Sequence, residues 1–179
     1  DAITIFDANQ NTTITGNDIS SVQNGVWVAT ANDWAPGQNR TVVHNNNFET
    51  LPGGTYYYGV DLSNYTTRAS HSGVVTNNTF NMTDKADGTF GVYLAGVDGA
   101  LVSGNIFNGT ALVGMVLDGG SYEQPIQDVA IIGNNFSQTS SYEEEESEID
   151  IFLSETTERI IVGPQSATTS DNGLNNEIL

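Results

Sequence analysis

Val75-Thr76-Asn77-Asn78-Thr79-Phe80 is one of five related hexapeptides, and its recurrence decides the fold. The others are Ile14-Thr15-Gly16-Asn17-Asp18-Ile19, Val43-His44-Asn45-Asn46-Asn47-Phe48, Val102-Ser103-Gly104-Asn105-Ile106-Phe107 and Ile131-Ile132-Gly133-Asn134-Asn135-Phe136. Each begins with an aliphatic residue, carries Asn at the fourth place and ends on Phe or Ile. Successive Asn residues are 29, 32, 27 and 29 positions apart, and Ile161-Val162-Gly163-Pro164 reads as a decayed sixth copy. Self-similarity at a period of this size marks a chain built from stacked repeats.

A second motif lies between copies of the first: Gly25-Val26-Trp27-Val28, Gly59-Val60-Asp61-Leu62, Gly91-Val92-Tyr93-Leu94, Gly114-Met115-Val116-Leu117 and Asp150-Ile151-Phe152-Leu153. Each repeat thus has short apolar segments of alternating pattern, bounded by Gly, Asn, Asp and Thr, which are strand signals. No stretch has helical periodicity long enough to form a helix. Two or three strands per repeat predict an all-β solenoid of about six coils. No linker interrupts residues 1–179, so a single domain is expected, with a polar tail from about 166. A start at Asp1 rather than Met suggests a processed or excised segment.

Alternation along a strand and stacking between coils place equivalent residues in columns. Ile14, Val43, Val75, Val102 and Ile131 form one inward column; Ile19, Phe48, Phe80, Phe107 and Phe136 form another. Asn17, Asn46, Asn78, Asn105 and Asn134 form a third. Asn tolerates left-handed backbone geometry, and its amide both donates and accepts, so a hydrogen-bonded ladder is expected at the bend. This V-x-x-N-x-F/I coil pattern resembles the right-handed parallel β-helix proteins of the pectate-lyase-like superfamily, over nearly the whole chain. The resemblance implies a right-handed parallel β-helix. It leaves function open between polysaccharide lyases, epimerases and hydrolases on one side and surface repeat proteins on the other.

Charge excludes one class of partner. Four Lys and Arg against 22 Asp and Glu give a net charge of −18, the wrong sign for neutralising nucleic-acid phosphates. Anionic membrane surfaces are disfavoured likewise, and no apolar run is long enough to span a bilayer. The seven sequons, at Asn11, Asn39, Asn64, Asn77, Asn81, Asn108 and Asn135, are candidate glycosylation sites, and with the acidic surface they point to an extracellular or cell-surface setting. The chain has no cysteine.

Insertions are expected at two corners: 49–58, 81–90 and 137–149 at one, 29–40, 63–73 and 118–127 at the other. If Val26 and Val28 face inward, Trp27 faces outward, and Asp61, Tyr93, Val116 and Phe152 follow it in one exterior row. Such a row suits sugar-ring stacking or a protein interface, or is buried by neighbouring loops folded over the sheet. Calcium candidates are the acidic run 142–146, Asp84 to Gly88 and Asp118 to Gly120, none of which matches a known calcium-loop pattern.

Enzymes of the resembling superfamily need a base and a charge neutraliser, or paired carboxylates. The cations and imidazoles here are Arg40, Arg68, Lys85, Arg159, His44 and His71. His44 is expected outward and His71 in a loop, both as surface residues. Asp61 has no acidic partner at positions 27, 93, 116 or 152, so no catalytic residue is assigned. The resulting expectation is a non-enzymatic extracellular module, structural or adhesive, stacking with copies of itself through its ends into a filament. The alternative is a carbohydrate-active domain or a glycan-binding relic of one.

Overall fold

The computed structural model describes residues 1–6, 11–21, 23–30, 37–51, 57–65, 69–82, 89–109, 113–119, 124–137, 150–165 and 167–179. Alternating short strands wind as expected. The first coil comprises β1 (Ile3–Phe6), β2 (Asn11–Thr15) and β3 (Asp18–Ser21); the second β4 (Asn24–Thr30), β5 (Gly37–His44) and β6 (Asn47–Thr50). The third holds β7 (Tyr57–Asn64), β8 (Ala69–Thr76) and β9 (Thr79–Met82); the fourth β10 (Thr89–Ala95), β11 (Asp98–Ser103) and β12 (Ile106–Gly109). The fifth holds β13 (Val113–Leu117), β14 (Ile126–Ile132) and β15 (Asn135–Ser137). The sixth has β16 (Ile151–Leu153), β17 (Thr157–Glu158) and β18 (Ile161–Val162), and a partial seventh β19 (Thr169–Asp171) and β20 (Glu177–Ile178).

All pairings between successive coils are parallel. Sheet A runs β1-β4-β7-β10-β13-β16-β19, sheet B runs β2-β5-β8-β11-β14-β18-β20 with β17 beside β14, and sheet C runs β3-β6-β9-β12-β15. No helix occurs among the described residues. The segment expected as a polar tail instead adds a rung: β19 pairs with β16 and β20 with β18. Its backbone can join the sheets whatever its side chains, because parallel ladders use main-chain groups.

The core is one column of like residues. Val26, Val60, Val92, Met115 and Ile151 stack from sheet A, each fully buried, with Val28, Leu62, Leu94, Leu117 and Leu153 two residues on. Ile14, Val43, Val75, Val102 and Ile131 stack from sheet B as expected. In the sixth coil Val162, not Ile161, continues that column, so the decayed copy is Val162-Gly163-Pro164-Gln165, one residue later than the sequence pattern suggests. Ile161 pairs with Ala130 and is exposed.

Sheet C contributes the aromatic column. Phe48, Phe80, Phe107 and Phe136 stack nearly parallel with ring centroids 4.8, 4.8 and 4.7 Å apart. These rings explain the glycine of the second motif. A Cβ on Gly25 would lie 2.7 Å from the Phe48 ring and 2.7 Å from the Gly59 carbonyl oxygen; on Gly59 it would lie 2.6 Å from the Phe80 ring. Gly91 faces Phe107 and Gly114 faces Phe136 in the same way. Where the ring is absent, so is the glycine. Ile19 goes with Ala2 in the first coil, and Ala167, at the Phe position of the sixth, goes with Asp150.

The Asn column forms the expected ladder. The backbone N–H and Nδ2 of Asn46 both donate to Oδ1 of Asn78 at 2.9 and 3.1 Å; Asn78 donates likewise to Asn105, and Asn105 to Asn134. Each Nδ2 also reaches a backbone carbonyl of the preceding coil, as from Asn78 to Val43 (3.0 Å) and Asn105 to Val75 (2.8 Å). Gln165 ends the series, its Oε1 accepting from Asn134. One detail differs from expectation. The left-handed residue is the one before each ladder Asn: Gly16, Asn45, Asn77, Gly104 and Gly133, with φ between 54° and 69°. The bend is made there, which leaves the ladder Asn free to point inward.

Two stability predictions follow from these columns. Asn105→Ala leaves the Asn78 donors and the Val75 carbonyl without their amide partner and should cost about 1–3 kcal/mol, while Asn17→Ala, at an exposed position, should cost clearly less; equal thermal shifts would contradict an inward ladder. Gly91→Ala should destabilise by about 1–3 kcal/mol through overpacking. Phe107→Leu should recover part of that loss, so a double-mutant cycle showing no coupling between the two would refute the ring-to-glycine fit.

Candidate exterior face of sheet A

Sheet A brings the expected row together. Trp27 lies opposite Asp61, Asp61 opposite Tyr93, Tyr93 opposite Val116 and Val116 opposite Phe152. A second rank, unnoticed in the sequence, runs beside it: Asn24, Tyr58, Phe90 and Val113, each just before the glycine of its motif. That placement before the glycine is the signal that could have found it.

The two halves of the face differ. Phe90, Val113 and Val116 are buried, with Tyr58, Tyr93 and Phe152 half-buried against them, so this half is a small second core. Tyr58 stacks with Phe90 at 5.4 Å and meets Tyr93 at 5.1 Å. The other half centres on Asp61, only 7% exposed, which accepts a short hydrogen bond from the Ser63 hydroxyl. Trp27, in the adjoining rung, meets Phe6 edge-on at 4.7 Å, and its buried Nε1 has no hydrogen-bond partner among the described residues. Burial pushes the Asp61 carboxyl up from 3.8 to about 7, against the opposing bond from Ser63.

The two histidines separate. His44 is partly exposed on the outside of sheet B, with Nδ1 3.0 Å from the Thr76 hydroxyl. His71 is not a surface loop residue. It lies in β8, fully buried, with Nε2 3.1 Å from the Thr41 hydroxyl. Counting back by twos from inward Val75 gives Gly73 and then His71, so strand parity places it inside. Burial pulls its imidazole down from 6.5 to about 4, only weakly opposed by the Ser63 backbone; Nδ1 has no well-aligned partner. His71 and His44 stand at different levels of their strands, opposite Asn39 and Thr76 respectively, and form no pair.

The remaining candidates fall as follows. Asn64 is 2% exposed, so its side chain is unsuited to carry a glycan in the folded chain. Asn11, Asn77 and Asn135 are exposed; Asn81 and Asn108 are part-buried and join a second amide series, Asn108 to Asn81 to Asn47. Asn39 lies in β5, but its side chain is outside the described residues. Among the described residues no three His, Asp or Glu side chains group together as a metal site. The acidic run 142–146 and Asp84 to Gly88 lie outside the described residues, as does Gly120. Asp118 has its backbone N–H bound to Leu94, and the Gly119 N–H is bound to the Thr156 hydroxyl. Arg159 is held by Asp128 and Glu158, each at 2.8 Å.

Stacked parallel sheets, a buried Asn ladder and a Phe column define a parallel β-helix. The family model described as a right-handed β-helix region matches residues 1–176, and the chain belongs to that family. No curated relative and no solved structure matches the chain significantly.

The buried acid and base predict opposite pH responses. Asp61 titrates higher folded than unfolded, so its contribution to stability falls as pH rises from about 4 to about 7 and is flat beyond. His71 titrates lower folded than unfolded, so stability is lost as pH falls from 6.5 towards about 4. Relative to wild type, Asp61→Asn should gain stability steadily across that first window in denaturant titrations. A difference independent of pH would contradict the buried-carboxyl assignment.

Proposed function

We propose that this chain is a non-enzymatic β-helix module of the cell surface, structural or adhesive, that adds rungs from further copies at its ends. The composition of the sheet A exterior supports the absence of catalysis. Asp61 is the row's single carboxyl, and the row holds no histidine or cation. Among the described residues Asp118, which follows Leu117, stands two rungs on. At ~4.8 Å per rung plus the lateral offset, that exceeds the roughly 5–9.5 Å between paired glycosidase carboxylates.

The terminal rungs support stacking. Glu177 N–H donates to the Ile160 carbonyl and Leu179 N–H to the Val162 carbonyl, so by alternation the polar groups of Ile178 point away along the axis. Ala2 N–H donates to the Asn24 carbonyl, so at the other end the backbone N–H and C=O groups of Ile3 and Ile5 point away along the axis. In the last rung the side chains of Ile178 and Leu179 are exposed. Such an edge accepts a further strand, of the same chain or of another copy, and a head-to-tail contact between copies propagates into a fibre. The acidic surface and the exposed sequons suit an extracellular setting.

A second reading rests on the half-buried indole of Trp27, which lies opposite Asp61 in the ladder: this end of the face binds an uncharged sugar ring stacked on the indole. Neutral oligosaccharides should then quench Trp27 emission, and Asp61→Ala should abolish the response.

Light scattering tests the leading reading. Wild type should grow with concentration. Ile5→Pro with Ile178→Pro, which removes outward N–H groups without breaking a ladder bond, should hold the protein monomeric; Ile5 packs against the core, so the melting temperature should drop while the circular dichroism keeps its wild-type form. Strictly monomeric wild type across salt and Ca²⁺ concentrations would sink the idea.

A further inference from the structure

The exterior of sheet B carries an apolar stripe that the core does not require. Its central rank reads Thr13, Val42, Val74, Leu101, Ala130, Ile161, Glu177, one residue per rung. Five successive rungs are apolar, over about 19 Å at ~4.8 Å each. None of these side chains is buried: Val42, Val74 and Ala130 are half-buried, Leu101 is 37% exposed and Ile161 42%. Ile132, beside Ala130 on the same face, is 42% exposed. The flanking ranks are otherwise polar: Asn11, Arg40, Ser72, Gly99, Asp128 and Arg159 on one side, and Thr15, His44, Thr76 and Ser103 on the other, which ends in Ile132.

Strand propensity alone does not account for the stripe. Sheet C has an exterior of the same kind, yet its ranks read Asp18, Asn47, Thr79, Ile106, Asn135 and Ser20, Glu49, Asn81, Asn108, Ser137. There a single aliphatic residue interrupts two polar ranks. A contiguous apolar ridge with polar rails is the pattern of an interaction surface, whereas scattered exposed aliphatics are ordinary.

Charge selects the occupant. The exposed or half-exposed carboxylates of this region are Asp98, Asp128, Glu158 and Glu177. Arg159 is bound to Asp128 and Glu158, which leaves Asp98 and Glu177 to set against Arg40, so the region keeps a small negative excess. The whole chain carries −18, so a second copy laid on this face would meet like charge along its length. We propose that the sheet B stripe docks a basic polypeptide segment that sets a row of aliphatic side chains against Val42, Val74, Leu101, Ala130 and Ile161 while its Lys and Arg meet the acidic surroundings.

The test uses the folded full chain carrying Ile5→Pro and Ile178→Pro, so that stacking through the ends cannot contribute. Two synthetic peptides of equal charge, alternating Lys with Leu and Lys with Ser, are titrated calorimetrically at fixed salt. The Lys-Leu peptide should bind, and Leu101→Thr with Ile161→Thr should weaken it roughly tenfold without altering net charge. The Lys-Ser peptide should bind more weakly and ignore those substitutions. Val42→Thr with Val74→Thr repeats the comparison should the first pair fail to fold. Equal binding of the two peptides, or unchanged affinity in the Thr variants, would overturn the proposal. So would self-association of the end-blocked protein that the Thr variants abolish, which would make the occupant a second copy.

Discussion

Parallel backbone hydrogen bonds set one distance between coils, about 4.8 Å, and every side-chain arrangement in the protein answers to it. Each coil must present the same cross-section as its neighbours, or the ladder on one sheet breaks when the others are satisfied. The Phe rings meet the requirement by stacking at 4.7–4.8 Å, the spacing of the backbone itself. Their thickness within a coil leaves no room on sheet A for a Cβ at Gly25, Gly59, Gly91 or Gly114. The two sequence motifs are therefore two halves of one packing solution. Coils that lack the ring carry Ala2 or Asp150 there instead.

A narrow core has few places to hide polar groups, and the ladder Asn residues resolve most of that difficulty. Their amides take up backbone donors and acceptors at a bend that would otherwise leave them unpaired. His71 is one exception within the solenoid, neutral and bonded to Thr41, with one ring nitrogen poorly matched; the core hydroxyl of Tyr57 is another. Asp61 is the exception on the outside, held near neutrality at ordinary pH by its burial beside aromatic rungs. His71 and Asp61 both lower the stability margin in a defined pH range, which makes them informative about what the fold tolerates.

The three exteriors have different chemistry although the backbone treats them alike. Sheet A gathers aromatics around one carboxyl, sheet B sets out an aliphatic ridge between polar rails, and sheet C displays amides and hydroxyls. Nothing in the core dictates this division. It lies in the residues that alternate with the core columns, and those residues are where an interaction or binding role would be written.

Strand periodicity, the recurring Asn and Phe, and the apolar pairs of the second motif determined the coil, the ladder and the exterior row from Trp27 to Phe152, because each is set by alternation and spacing along the chain. What tertiary structure decided was whatever depends on register between coils. It placed Val162 rather than Ile161 in the core column and drew the polar segment after 166 into a further rung. It also matched each glycine to a ring 16 to 23 residues away. His71 was recoverable by parity, yet its short strand neighbourhood resembles a loop in composition. Its burial became visible only when β8 was laid against β5. The burial of Asp61 likewise depends on Trp27 and Tyr93, which are distant in sequence and adjacent only after the solenoid winds.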